Sequence, residues 1–140
     1  MTGSAESRVY LVEDHDVMRE MIGEFLESHA GLTVVGCAAT AGAAFAELEG
    51  LDVELVLVDT SLPDMNGIEL VRRLLDRRPG TLCLMYSGHE ETFYVERALE
   101  AGAKGYVVKG NPRELPGAIQ QVLDGGTYLS RLLRHGESRF

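Results

Sequence analysis

The sequence predicts a doubly wound α/β domain: a five-stranded parallel sheet in the order 2-1-3-4-5, with helices on both faces. Three observations carry this expectation. Short apolar runs recur along the chain as RVYLV (8–12), TVVGCA (33–38), VELVLVD (53–59), TLCLMYS (81–87) and GYVVK (105–109). The stretches between them are longer and have helical rather than strand spacing. The runs are apolar on both faces, as strands covered on each side by helices must be.

Taken in order, the first helical stretch, DVMREMIGEFLESHA, places Met18, Met21, Ile22, Phe25 and Leu26 on one stripe. The second, AGAAFAELE (41–49), is weaker. In the third, IELVRRLL puts Ile68, Val71, Leu74 and Leu75 on a common face. The fourth covers 90–101. The fifth covers 112–124 and opens with Pro112, tolerated near a helix start because its missing N–H would be unpaired there anyway. The result is five strand–helix units, with no internal repeat, low-complexity segment or linker before residue 125. Residues 1–7 read as an N-terminal tail and 8–126 as the domain. The short basic stretch TYLSRLLRHGESRF (127–140) reads as a frayed terminus, an extra turn of helix, or the stump of a linker.

At 140 residues the chain fits one domain large enough to bury a core without disulfides or metal. A net charge of -9 opposes non-specific attraction to nucleic acid or anionic membrane, so neither is an expected direct partner. No apolar run approaches the roughly 18 residues of a membrane span, and MTGSAESR lacks the pattern of a secretory signal. The expected compartment is the cytoplasm. Cys37 and Cys83 both fall in apolar runs and read as buried small hydrophobes rather than a redox pair or metal site.

The polar residues collect where ligands bind in open parallel sheets, beyond the carboxyl ends of the strands. The first run ends in Glu13 and Asp14, the third in Asp59, the fourth in Ser87 and the fifth in Lys109. With the first and third strands adjacent, about 4.8 Å apart, Glu13, Asp14 and Asp59 converge on one crevice. Their mutual repulsion calls for a proton or a cation. Oxygen donors with a hydrated side suit Mg²⁺. Lys109 has the reach to join them and Ser87 adds a hydroxyl. A carboxylate nucleophile, a cation cradle, an ammonium and a hydroxyl are the parts of a phosphoryl-transfer site.

These residues make the chain resemble a response regulator receiver domain of two-component signalling, a flavodoxin-like fold. The resemblance rests on VEDHD, LVLVDTSLPDMNGIEL, LMYSG and AGAKGYVVKG, in order and correctly spaced over residues 8–126. It implies that Asp59 accepts a phosphoryl group from a sensor histidine kinase or phosphotransfer protein. Glu13, Asp14, Asp59 and the backbone carbonyl of Ser61 would hold Mg²⁺. Ser87 would bind a phosphoryl oxygen, Lys109 would pair with the acyl phosphate, and Tyr106 would turn inward on activation. The fourth helix, fifth strand and fifth helix would then meet a partner or a second copy of the chain, giving a possible homodimer.

GYVVKG and GGTYLS resemble receivers that precede a helix-turn-helix output domain, which this sequence lacks. Glu13 stands where many relatives have Asp, so its contact with metal would run through water and Asp14 would bind directly. Gly110 replaces a frequent cis proline, and a trans peptide is expected there. Ser61 and His89, each two residues beyond a site residue, are positions that tune phosphoryl lifetime in the family. His15, His29 and His135 show no partners or zinc-like spacing.

Asp16 reads as a helix start, Asp64 and Asn66 as turn and cap residues with Gly67 allowing close approach, and Arg72, Arg73, Arg77 and Arg78 as a solvated face. Phe93 and Tyr94 fit either core or docking face. Other readings are weaker. A flavodoxin needs a phosphate cradle where EDHD would repel one. A haloacid-dehalogenase-type phosphatase needs a second Asp where Ser61 stands. A receiver fold signalling without phosphorylation has no need of the intact acidic set. The chain is expected not to be an enzyme beyond its own phosphorylation and dephosphorylation.

Overall fold

The computed structural model describes residues 6–130 and residue 133; His135 lies outside them. Five strands alternate with five helices: β1 (Ser7–Val12), α1 (Asp16–Glu27), β2 (Leu32–Ala38), α2 (Ala41–Leu48), β3 (Leu55–Val58), α3 (Gly67–Arg77), β4 (Leu82–Ser87), α4 (Thr92–Ala101), β5 (Gly105–Val108) and α5 (Leu115–Leu123). A 3₁₀ turn at Pro112–Glu114 leads into α5, which places Pro112 at the predicted start. A sixth strand, β6 (Tyr128–Leu129), follows.

The sheet order is β2-β1-β3-β4-β5-β6, and every neighbouring pair is parallel. The predicted order holds for five strands; the predicted count of five does not. The sixth lies in the stretch expected to be an extension. Tyr128 and Ser130 donate backbone N–H bonds to the carbonyls of Lys104 and Tyr106 at 3.1 and 2.9 Å, so the edge of β5 is covered. Two residues are too few for a hydrophobic period to register, which is why the pattern missed them. Gly105 fits this pairing: a Cβ there would come within 2.6 Å of the Tyr128 carbonyl oxygen.

Successive side chains on the central strands alternate between two cores. Val12, Val56, Val58, Met85 and Tyr106 pack on one face with α2, α3 and α4. Val9, Leu11, Leu55, Leu57 and Val107 pack on the other with Ile22 and Leu26 of α1 and Leu115, Ile119 and Val122 of α5. All four residues of β3 are fully buried, as VELVLVD foretold. β2 lies at the sheet edge and is only partly covered, so Cys37 is exposed rather than buried; Cys83 is buried, and burial pushes its thiol up to about 12.

The helix ends are set by side chains. Asn66 caps α3, its Oδ1 accepting the Ile68 N–H at 2.8 Å. Thr40 caps α2 by accepting the Ala43 N–H. Asp64 does more than make a turn: its carboxylate accepts the Ala41 and Gly42 N–H groups at 2.9 Å each, tying the β3–α3 loop to the start of α2. α1 begins at Asp16 as expected. Arg72 and Arg73 bond Glu69 on the α3 surface. Arg77 and Arg78 are not simply solvated: Arg77 pairs with Glu49 over the Phe45 ring, and Arg78 donates to the carbonyls of Leu48, the last residue of α2, and Leu51. Among the described residues no helix is long and apolar enough to cross a membrane.

Candidate functional site

The carboxyl ends of β1, β3 and β5 carry the site, and the ladder continues one residue past each to fix it. The Glu13 N–H donates to the Ala38 carbonyl, the Asp59 N–H to the Val12 carbonyl, and the Lys109 N–H to the Ser87 carbonyl, at 3.0, 3.0 and 2.7 Å. Arg19 reaches back from α1 to donate to the Glu13 carbonyl at 2.9 Å. Each of these residues leaves the core from a backbone the sheet holds rigid.

Glu13 is 1% exposed and Asp59 4%. Both carboxylates meet one ammonium: Lys109 Nζ lies 2.9 Å from Glu13 Oε1 and 3.1 Å from Asp59 Oδ2. The contact with Asp59 is an aligned hydrogen bond. That with Glu13 is an ion pair without hydrogen-bond alignment, so Oε1 is buried with no hydrogen bond. Burial pushes the Glu13 carboxyl up, with the Asp59 charge adding to the effect and Lys109 opposing it. Burial alone would lower Lys109, but its two carboxylate partners outweigh this and hold its ammonium up. Two buried carboxylates thus share one cation, and the crevice is short of positive charge.

Asp14 sits at the rim, with its side chain 32% exposed, beside His15. Glu13, Asp14 and His15 can place ligand atoms within 4.8 Å of one another. The Ser61 N–H donates to Asp59 Oδ1 at 3.1 Å. An oxygen-rich set with an under-compensated buried carboxylate fits a divalent cation of oxygen preference. Gly67 packs against the loop that follows: a Cβ would fall 2.0 Å from the Asp59 carbonyl oxygen, so the approach expected of it is required.

Ser87 is fully buried, and its hydroxyl bonds groups other than Asp59. Its Oγ lies 2.6 Å from Thr60 Oγ1 and accepts the His89 N–H at 3.0 Å. The Tyr106 hydroxyl donates to the His89 carbonyl at 2.7 Å, and its ring is fully buried. Tyr106 is therefore already inward. The His89 ring lies 3.3 Å from Ser61 Oγ through Nε2 and stacks on Tyr94 at 4.3 Å. One residue thus contacts Ser87, Tyr106, Ser61 and α4. Phe93 beside it is 54% exposed while Tyr94 is half-buried, so the pair divides between surface and packing.

Sequence reasoning placed Glu13, Asp14, Asp59, Ser61, Ser87 and Lys109 in one region, and the structure brings them there. It missed Thr60, Arg19 and the contacts of His15 and His89. Thr60 follows the obvious acidic residue and meets a hydroxyl from another strand, which no local period reveals. The Lys109–Gly110 peptide is trans, as expected.

A doubly wound sheet with this strand-end set defines a class of protein, and comparison with known proteins supplies the family. Residues 9–120 match the response regulator receiver domain. The chain belongs to this family, the receiver domains of two-component systems. It is 37% identical over 123 residues to the DNA-binding transcriptional activator DevR/DosR of Mycobacterium tuberculosis, covering 87% of this chain and 57% of that protein. It is 36% identical over 123 residues to the transcriptional regulatory protein UhpA of Escherichia coli, covering 87% and 61%. The chain thus spans about three fifths of the length of these relatives. A two-component response regulator of the LuxR family from Aurantimonas sp. SI85-9A1 superimposes with a TM-score of 0.90 at 32% identity, over 96% of this chain and 99% of that one.

Proposed function

We propose that this domain is a phosphorylation-controlled switch whose acceptor is Asp59. The observation that carries the reading is the pair of buried carboxylates, Glu13 and Asp59, converging on a single ammonium at the strand ends. Such an arrangement is costly unless used. An Asp59 oxygen attacks the phosphorus of a phosphohistidine on a sensor kinase or phosphotransfer protein. The O–P bond forms as the P–N bond breaks, and the imidazole leaves and takes up a proton. Lys109 follows the added negative charge, and Ser87 turns its hydroxyl from Thr60 toward a phosphoryl oxygen.

Glu13, Asp14, Asp59 and the Ser61 carbonyl are the residues that would hold Mg²⁺, which when bound supplies positive charge for the phosphoryl oxygens. Through Ser87 and His89 the change reaches Tyr106 and α4, and the surface of α4, where Phe93 is exposed, with that of α5 meets a partner or a second copy, β5 lying buried behind β6. The protein acts in the cytoplasm and is a switch rather than an enzyme with an external substrate. Incubation with acetyl phosphate and Mg²⁺, followed by intact mass measurement, tests the reading. One phosphoryl group is expected, dependent on the metal and absent in Asp59→Asn. No addition, or addition that persists in Asp59→Asn, contradicts it, as does rapid multiple turnover of small phosphate esters.

A further inference from the structure

The rim of the acidic crevice carries a nitrogen donor that the phosphoryl chemistry leaves unused. His15 stands at the N-cap position of α1 without making a side-chain cap. Its backbone N–H donates to Glu13 Oε2 at 3.1 Å, which pins its Cα against the buried carboxylate. Its ring Nδ1 lies 3.6 Å from Glu13 Oε2 and 3.8 Å from Asp14 Oδ1. Adjacent ligand atoms around an octahedral ion with bonds of about 2.1 Å are about 3 Å apart, and all three donors here lie within 4.8 Å of one another, so drawing them together gives one face of a coordination shell. The ring is 78% exposed and free to make that adjustment. The other donors have a reason to accept a cation: Glu13 is 99% buried, and its Oε1 meets only the Lys109 ammonium that it shares with Asp59, without hydrogen-bond alignment.

Mg²⁺ takes oxygen ligands and gains little from an imidazole, whereas first-row ions such as Co²⁺, Ni²⁺, Cu²⁺ and Zn²⁺ take imidazole readily, with affinity rising from Mn²⁺ to a maximum at Cu²⁺. We propose that His15 is a further protein ligand at the site of Glu13 and Asp14, biasing it toward imidazole-accepting divalent ions over Mg²⁺. The proposal rests on reading Glu13 and Asp14 as metal ligands.

Co²⁺ and Mg²⁺ titrations of the tag-free chain test it, alongside His15→Gln. Binding is followed calorimetrically, and Co²⁺ contact by the paramagnetic shift of histidine ring protons. The expected results are a shifted His15 resonance and a loss of about tenfold in the Co²⁺ to Mg²⁺ affinity ratio in His15→Gln. An unchanged ratio with Mg²⁺ still bound, or no shift at His15, overturns the proposal while leaving the acidic site intact. Co²⁺ bound through His15 without measurable Mg²⁺ binding supports it and overturns the Mg²⁺ reading. Failure of both ions to bind removes both.

Discussion

The charge at the site makes single substitutions informative. Asp59→Asn removes one of two buried carboxylates competing for Lys109. It is expected to stabilise the unphosphorylated fold by about 1 kcal/mol, the order of the Coulomb repulsion between two like charges a few ångströms apart when strongly screened. Lys109→Met acts in the opposite sense, since it leaves Glu13 and Asp59 buried without a cation; a loss of about 3 kcal/mol is expected. Urea unfolding midpoints of the two variants against the parent check both signs. A stabilising Lys109→Met would mean that the carboxylates are already relieved by other means. Gly67→Ala is a geometric test: a methyl 2.0 Å from the Asp59 carbonyl oxygen forces the loop to move, at a cost of about 3 kcal/mol, and it should impair phosphorylation as well as stability.

Between elements, two contacts connect the site to the rest of the fold. Asp64 joins the loop after Asp59 to α2, and the Gly42 N–H, then that of Ala41, holds its carboxyl below the usual range. The unfolded chain takes up this proton near the ordinary Asp value of about 3.9, the folded chain only at lower pH. The contribution is therefore present above that ordinary value and lost as pH falls through the depressed one. The stability gap between parent and Asp64→Ala is expected to be widest above about pH 5 and to close in acid; a gap independent of pH would show that the carboxylate is not the source. At the other end of the sheet, Gly105→Ala places a methyl 2.6 Å from the Tyr128 carbonyl oxygen. It should release β6, seen as faster hydrogen exchange at the Ser130 amide now bonded to Tyr106. Unchanged protection there would mean that β6 is held mainly by Glu114, which accepts from Tyr128 and Ser130.

Across the molecule, the sequence was most readable where burial dictates composition. Continuous apolar runs located β1, β3, β4 and β5, and the polar residues at their ends located the crevice, because a parallel sheet delivers those ends to one edge. What escaped was set by partners distant in sequence. β6 exists through two residues pairing with β5. Cys37 is exposed because β2 is an edge. Thr60 and Ser87 meet across neighbouring strands, and His15 meets Glu13 only once α1 has started. Asp64 had the right residue type for a turn, but its role as a clamp depended on where α2 begins.

The proposed switch depends on Asp59 as the phosphoryl acceptor, beside Glu13 and Lys109. Its most direct test is borohydride reduction of the protein after phosphorylation by acetyl phosphate, which converts an acyl phosphate to homoserine, followed by peptide mapping. Conversion at position 59 alone, within VELVLVDTSLPD, is the predicted result; conversion at Glu13, Asp14 or another carboxylate, or none at all, would contradict it.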